Sequence, residues 1–208
     1  MEGKLNTGLD QLNVKHEIVS SEKVGETISD DIKTSAVWAI LFSCALMFIY
    51  IFIRFKKWQF GLGAVAALAH DVLIVLSVYS IFNGILPFSL EIDQHFVAAI
   101  LTVMGYSMTD TVVVFDRIRE YLNLNTKKHL EGEEKATIIN YALNSTLSRT
   151  INNSLTIFFV LLAIFIFGKE VIRGFAFAML IGTVIGTYSS VCIATPIVMD
   201  FDTRKRKE

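Results

Sequence analysis

The stretch GYSMTDTVVVF, residues 105–115, places one carboxylate, Asp110, inside an otherwise apolar run that extends from residue 96 to residue 115. A run of about 20 apolar residues is long enough to cross the hydrocarbon core of a bilayer as a helix. Because a charged group at that depth is costly, an ionisable side chain there is a functional-site hypothesis. This run is therefore expected to be a membrane helix with Asp110 as its functional group.

The composition is typical of a membrane protein. Of the 208 residues, 53% are hydrophobic and 16 are phenylalanine, and the mean hydropathy is +0.53. Five apolar runs have the length of a membrane-spanning helix: residues 35–55, 60–82, 96–115, 147–167 and 175–199. The predicted fold class is therefore all-α, a polytopic membrane helical bundle with five transmembrane helices within residues 35–201.

Different structures are expected for the polar segments at the two ends of the chain. In residues 1–34, HEIVS is predicted to be a short strand and ETISDDIKTS the lead-in to the first membrane helix. Residues 202–208 form a basic tail. An N-terminal polar segment ahead of an odd number of spans suggests a fragment from which an earlier hydrophobic helix is missing.

The loops alternate in charge. The turn after the first run, the long connection after the third run and the C-terminal tail hold twelve positive residues, whereas the two opposite loops hold only Lys169 and Arg173. Positively charged loops remain in the cytoplasm, so the C-terminus is predicted to be cytoplasmic and the N-terminal segment external.

The third run carries the main candidate site. Thr102, Tyr106 and Asp110 are spaced by four and so share one helix face, and a polar stripe in a membrane must face protein or water. Asp110 either exchanges a proton or hydrogen-bonds a neighbouring helix as packing glue. Asp116 and Arg117 fall at the cytoplasmic end, where snorkelling to the interface explains them.

Further polar residues lie in the second and fourth runs. His70 and Asp71 are adjacent and point about 100° apart on a helix, so a paired relay between them is not expected. Asp71 is the stronger candidate because its charge is costlier to bury, and His70 either handles protons or is a neutral imidazole bonded to another helix. Arg149 either pairs with a carboxylate such as Asp110 or binds lipid phosphate. Residues 135–144 are predicted to form a short amphipathic helix on the inner surface.

The fifth run has a packing signature. Small residues recur there at a spacing of four: Gly174, Ala178, Gly182, Gly186, Ser190 and Ala194. Such a stripe allows two helix backbones to approach closely. Gly168, Gly174 and Pro196 are predicted turn or kink points.

Four ordered motifs together resemble the SecF family, or the SecF half of fused SecDF proteins, which are accessory to the bacterial Sec translocon. They are ALAHDVLIVL, GYSMTDTVVVFDRIRE, LSRTINNSLT and RGFAFAMLIGTVIGTYSS. The resemblance covers all five runs and reaches back into EIVSSEKVGETISDDIKTSA, which is similar to the end of the family's periplasmic domain.

The resemblance implies a fold related to one half of the RND transporters and a role in protein export driven by the proton motive force. The family's essential intramembrane aspartate falls on Asp110, its important arginine on Arg149 and its HD pair on His70 and Asp71. The implied partners are SecD or a SecD half, the SecYEG channel, unfolded preprotein and membrane lipids. The implied location is the bacterial inner membrane, with protons as coupling ion and no cofactor.

Three other classes of function share some of these sequence features. An RND-type exporter of lipids or small molecules shares an intramembrane proton site but carries large paired periplasmic insertions. An intramembrane aspartyl protease needs two membrane carboxylates, but its GxGD pattern differs from GYSMTD. A purely structural scaffold predicts that Asp110→Asn is silent. No motif indicates a nucleotide loop, a metal cluster or a nucleic-acid surface, and we expect no enzyme activity.

Overall fold

The computed structural model describes residues 26–88, 90–125 and 132–204, and every secondary-structure element within these ranges is a helix. The α-helices, numbered in chain order, are α1 Glu26–Phe55, α2 Trp58–Phe82, α3 Gln94–Leu124, α4 Gly132–Phe167, α5 Glu170–Ser189 and α6 Thr195–Arg204. A π-helical segment, Ser190–Ala194, joins α5 to α6. The all-α prediction is confirmed. The strand predicted at residues 16–20 and the tail beyond residue 204 lie outside the described residues.

Five stretches are long and apolar enough to cross a membrane, and each contains one of the predicted runs. They are Asp31–Phe55, Trp58–Phe82, Gln94–Leu124, Glu133–Phe167 and Ile172–Phe201. Large apolar side chains cover their outer surfaces; Trp38 is 68% exposed, for example, and Phe159 is 62% exposed. In a bilayer these side chains face lipid, where helices satisfy their own backbone hydrogen bonds.

Local sequence explains where several helices begin and end. The Asp93 side chain accepts a hydrogen bond of 2.8 Å from the backbone N–H of Phe96 and so caps α3. Gly84, just after α2, has a φ of +78°, a conformation that favours glycine. The backbone N–H of Gly168 donates to the carbonyl oxygen of Ile164 at 2.7 Å where α4 ends.

Helix α3 lies at the centre of the bundle. It packs against α1, α2, α4, α5 and the π segment, most extensively against α5. The closest approach is at the small-residue stripe, where a β-carbon added to Gly182 would collide with Val103 and one added to Gly186 would lie 3.0 Å from Ser107 Cβ. Glycine at these two positions therefore sets the short distance between α3 and α5.

The prediction of a separate surface helix at residues 135–144 is wrong. These residues belong to α4, a single helix of 36 residues that runs into the membrane-spanning stretch. No glycine or proline occurs between Glu133 and Phe167 to end the helix. Ile139 and Ala142 are buried against the bundle, while Tyr141 is 65% exposed.

The last membrane stretch changes its helical geometry partway along. The π segment, Ser190–Ala194, lies just before Pro196, whose nitrogen carries no hydrogen to donate to the preceding turn. A single π turn within an α-helix is often found at a functional position. Its backbone also lies against α2, since a β-carbon at Gly63 would be 2.7 Å from the carbonyl oxygen of Ala194.

Candidate functional site

Asp110 lies on the buried side of α3 and is only 3% exposed. Its Oδ1 accepts a long hydrogen bond of 3.4 Å from the side-chain amide of Asn153 on α4. Its Oδ2 is buried and has no hydrogen-bond partner among the described residues. Tyr106 lies one turn before Asp110 on α3, and its hydroxyl is bonded to Ser154 of α4. The carboxyl is thus enclosed by polar groups but only weakly hydrogen-bonded.

Hydroxyl groups connect the surroundings of Asp110 across three helices. The Tyr106 hydroxyl donates to Ser154 Oγ at 2.9 Å, and Ser154 Oγ in turn shares a hydrogen bond with Thr187 Oγ1 on α5. We call Asp110, Tyr106, Asn153, Ser154 and Thr187 the Asp110 cluster. Because a hydroxyl both donates and accepts, this cluster can adapt its hydrogen bonds to either protonation state of the carboxyl.

A groove of about 250 Å³ between α4 and α5 borders the Asp110 cluster. Its lining is mostly apolar, with hydroxyls from both helices: Ile151, Ser154, Leu155, Phe158, Thr183, Val184 and Thr187. Two members of the cluster, Ser154 and Thr187, therefore border space large enough for water.

A second carboxyl, Asp71 on α2, is fully buried and well hydrogen-bonded. Its Oδ2 accepts from Ser107 Oγ of α3 at 2.7 Å and from Ser189 Oγ of α5 at 2.9 Å. Its Oδ1 is 3.2 Å from Nδ1 of His70. These four residues form the Asp71 cluster. A relay between His70 and Asp71 was not expected, yet their side chains are in contact, because the imidazole turns back towards its neighbour's carboxyl.

The two carboxyls differ in hydrogen bonding. Both oxygens of Asp71 have partners, and a carboxylate, which only accepts, suits the two hydroxyl donors. One oxygen of Asp110 has none, and the other has a single long contact. Asp71 is therefore suited to holding helices together, whereas Asp110 has room to gain and lose a hydrogen-bond partner.

Two of the predicted site residues lie away from Asp110. Thr102 was predicted to share the face of Asp110 but is exposed on the open side of α3, and its hydroxyl bonds to the carbonyl oxygen of Ala98 in its own helix. Arg149 is exposed on α4, and within the described ranges no hydrogen bond or ion pair joins it to Asp110. The residue one turn later on α4, Asn153, makes the contact instead.

The charged residues in the second half of α3 have protein partners, which snorkelling alone does not require. Asp116 forms an ion pair of 2.9 Å with Arg54 of α1. Arg117 pairs with Glu120 at 2.7 Å and donates to Ser145 Oγ of α4 at 3.0 Å. These side chains are at least one-third exposed, so the contacts are surface pairs of small energetic value.

Five residues of the two clusters were not identified from the sequence: Ser107, Asn153, Ser154, Thr187 and Ser189. A signal existed for two of them. Ser107 lies in the motif of Asp110, three positions before it, and Asn153 follows Arg149 by four positions, which places both on one face of α4. In the part of the chain that the structure describes, no three His, Cys, Asp or Glu residues are grouped so as to hold a metal ion.

Comparison with known proteins gives a consistent result. The family described as "Protein export membrane protein SecD/SecF, C-terminal" matches residues 4–204. The chain is 51% identical over 188 residues to a protein translocase subunit SecF from Rhodothermus marinus, covering 90% of this chain and 59% of that protein. It is 43% identical over 197 residues to the SecF subunit from Cereibacter sphaeroides, covering 95% and 57%.

A crystal structure of SecDF in its super-membrane-facing form is also similar. The TM-score is 0.75 at 34% sequence identity, and the match covers 98% of this chain and 27% of the SecDF chain. The chain thus spans a little under three-fifths of the length of these two SecF relatives and about a quarter of the SecDF chain.

Proposed function

The chain belongs to the SecD/SecF family of protein export membrane proteins, and from that membership we propose that it is a membrane subunit of the Sec export machinery. In this proposal it uses the proton motive force to assist translocation and release of unfolded preprotein on the periplasmic side. It lies in the bacterial inner membrane with its C-terminus in the cytoplasm, as the basic loops indicate.

The observation that carries the proposal is the state of Asp110. A carboxyl in the middle of a membrane helix is retained despite its cost, and a purely structural carboxyl is expected to have its hydrogen bonds satisfied. Asp110 instead has one buried oxygen without a partner in the described chain and a neighbouring hydroxyl network. Such a group is suited to bind a proton and release it.

The energy available is adequate for a conformational bias. One elementary charge crossing 100 mV supplies about 2.3 kcal/mol. Since 1.4 kcal/mol is a factor of ten in an equilibrium constant, one proton shifts a two-state equilibrium by roughly 50-fold. That is sufficient to bias a two-state helix bundle towards one arrangement on each cycle.

Arg149 is proposed to act on the same carboxyl. It lies one turn before Asn153 on the same face of α4, and one turn is about 5.4 Å of helix rise. A displacement of α4 along α3 combined with the reach of the arginine side chain would exchange the neutral amide for a guanidinium beside Asp110. The charge of the ionised carboxyl would then be neutralised in one conformation and not in the other.

The proposed partner for the open side of α3 is SecD or a SecD half. Thr102, Gly105 and Thr109 form an exposed small and polar strip on this central helix, and no atom of the described residues lies within 4 Å of a β-carbon placed at Gly105. Lipid chains gain little from such a strip, whereas a second helix packs closely on small residues. The SecYEG channel and preprotein are proposed as further partners.

The test is preprotein release from membrane vesicles with and without a proton gradient. Wild type is compared with Asp110→Asn in the complete protein together with SecD, at equal abundance. Asp116→Asn is the matched control, because it removes an exposed carboxylate from the same helix. We expect Asp110→Asn to abolish the gradient-dependent part of release and Asp116→Asn to retain it. Unchanged release in Asp110→Asn would overturn the proposal and assign Asp110 to packing.

A further inference from the structure

The Asp71 cluster lies directly against the turn of α3 that carries Asp110. Ser107, which donates to Asp71, is three positions before Asp110 on that turn. Its backbone carbonyl oxygen accepts from Thr111 Oγ1 at 3.0 Å, and Thr111 Oγ1 lies 2.8 Å from Ser190 Oγ of the π segment. The carboxylate of α2 and the Ser190 hydroxyl of the π segment therefore hold the same turn from two sides.

The other serine of the cluster is located at the change of helical geometry. Ser189 is the last residue of α5, immediately before the π segment. Its hydroxyl donates to Asp71, and the next residue, Ser190, exchanges a hydrogen bond of 2.8 Å with Thr111. A change in the α3 turn would consequently be transmitted to the point where α5 changes from α to π geometry.

Close packing makes this junction rigid. Asp71, Ser107 and Ser189 are each 0% exposed, and Gly186 lies so near Ser107 that a β-carbon there would be 3.2 Å from its hydroxyl oxygen. Both acceptor oxygens of Asp71 are already occupied. A buried polar network of this kind fixes one arrangement as long as every member is satisfied.

We propose that Asp71 is a positioning residue, whose carboxylate holds Ser107 of α3 and Ser189 of α5 and thereby fixes the turn that presents Asp110 to its hydroxyl network. Asp71 stays an acceptor throughout, with His70 at its other oxygen, while Asp110 exchanges the proton. The inference rests on the proposed function for the role of Asp110. The contacts of Asp71 with Ser107 and Ser189, which we call the clamp, do not depend on that role.

The first experiment measures the protonation of the Asp110 carboxyl by infrared difference spectroscopy of the complete protein with SecD. The band of the protonated carboxyl is assigned by its loss in Asp110→Asn and is followed as a function of pH. Asp71→Asn and Ser107→Ala are each expected to shift its midpoint by about one pH unit, a factor of about ten in proton affinity. The double variant should shift the midpoint little more than either single substitution does, because Asp71 and Ser107 act as one unit.

Ser77→Ala is the matched control for the serine substitution. Ser77 is exposed on α2, and its hydroxyl bonds to the carbonyl oxygen of Leu73 in its own helix. It should leave the Asp110 band unchanged. If Asp71→Asn removes a second titrating carboxyl band and the Asp110 band stays in place, Asp71 is a proton carrier and the positioning role is overturned.

The second experiment separates the clamp from the proposed function. Hydrogen–deuterium exchange of the α3 turn, residues 107–111, is compared among the same variants at equal abundance. Ser107→Ala and Asp71→Asn should accelerate exchange there, and Ser77→Ala should not. If exchange accelerates in the clamp variants but the wild-type protein has no titrating Asp110 band in the infrared experiment, the proton role of Asp110 is refuted and the clamp is not. Unchanged exchange in both clamp variants would refute the clamp.

Discussion

Helices α3 and α5 pack tightly at Gly182, and replacing this glycine by alanine gives a prediction that can be worked from distances. The added β-carbon would be 2.6 Å from Val103 Cγ1 and 3.0 Å from Val103 Cβ. Carbon atoms in contact are normally about 3.5–4.0 Å apart, so the overlap approaches 1 Å. Val103 is 1% exposed, and β-branched side chains have essentially one rotamer in a helix, so it cannot rotate away.

Gly182→Ala is therefore expected to force α3 and α5 apart. Overpacking of this kind costs about 1–3 kcal/mol, offset by up to about 1 kcal/mol because alanine favours a helix more than glycine does. The assay is the unfolding midpoint of the purified complex in detergent, by heat or denaturant. We expect the unfolding midpoint of Gly182→Ala to be clearly lower than that of wild type, while the complex contains the same subunits.

Val103→Ala provides the matched rescue, because it removes the two methyl groups that clash. The double variant should be more stable than the sum of the two single losses predicts, by about 0.5–3 kcal/mol. Wild-type stability in Gly182→Ala, or strict additivity in the double variant, would refute the packing argument.

Three further predictions concern other contacts. Gly105→Leu should leave the fold intact, because nothing lies within 4 Å of its β-carbon position, but should reduce the amount of SecD that co-purifies; full recovery of SecD would exclude this face as the contact. Tyr79→Phe removes a hydroxyl that donates to the carbonyl oxygen of Gly174 on α5, and should lower the free energy of unfolding by about 0.5–1.5 kcal/mol. A double-mutant cycle on Arg54 and Asp116, which are 44% and 42% exposed, should give a coupling below about 1 kcal/mol that salt weakens.

The membrane helices could be predicted from sequence because their signal is one-dimensional. A run of about 20 apolar residues can satisfy its backbone in a bilayer only as a helix, and each predicted run lies within one described stretch. The polar part of α4 was not placed correctly, because charge and amphipathicity do not determine whether a helix bends at the membrane surface. The lack of any glycine or proline between Glu133 and Phe167 was the better guide.

The candidate site could be predicted only in part. Burial of Asp110 followed from its position in an apolar run, but its neighbours depend on how α4 and α5 are rotated about their own axes. A rotation of α4 by about 100° would present Asn152 in place of Asn153, and a shift of one turn along its axis would present Arg149. The contact between His70 and Asp71 depends on side-chain torsions, which helical spacing does not specify.

The measurement that tests the central claim most directly is proton flux through the complete protein and SecD reconstituted in liposomes with the Sec channel. A pH-sensitive dye inside the vesicles reports proton entry when preprotein and a gradient are supplied. The account predicts preprotein-dependent flux in wild type and in Asp116→Asn, and none in Asp110→Asn. Wild-type flux in Asp110→Asn would contradict it and show that protons do not pass through this carboxyl.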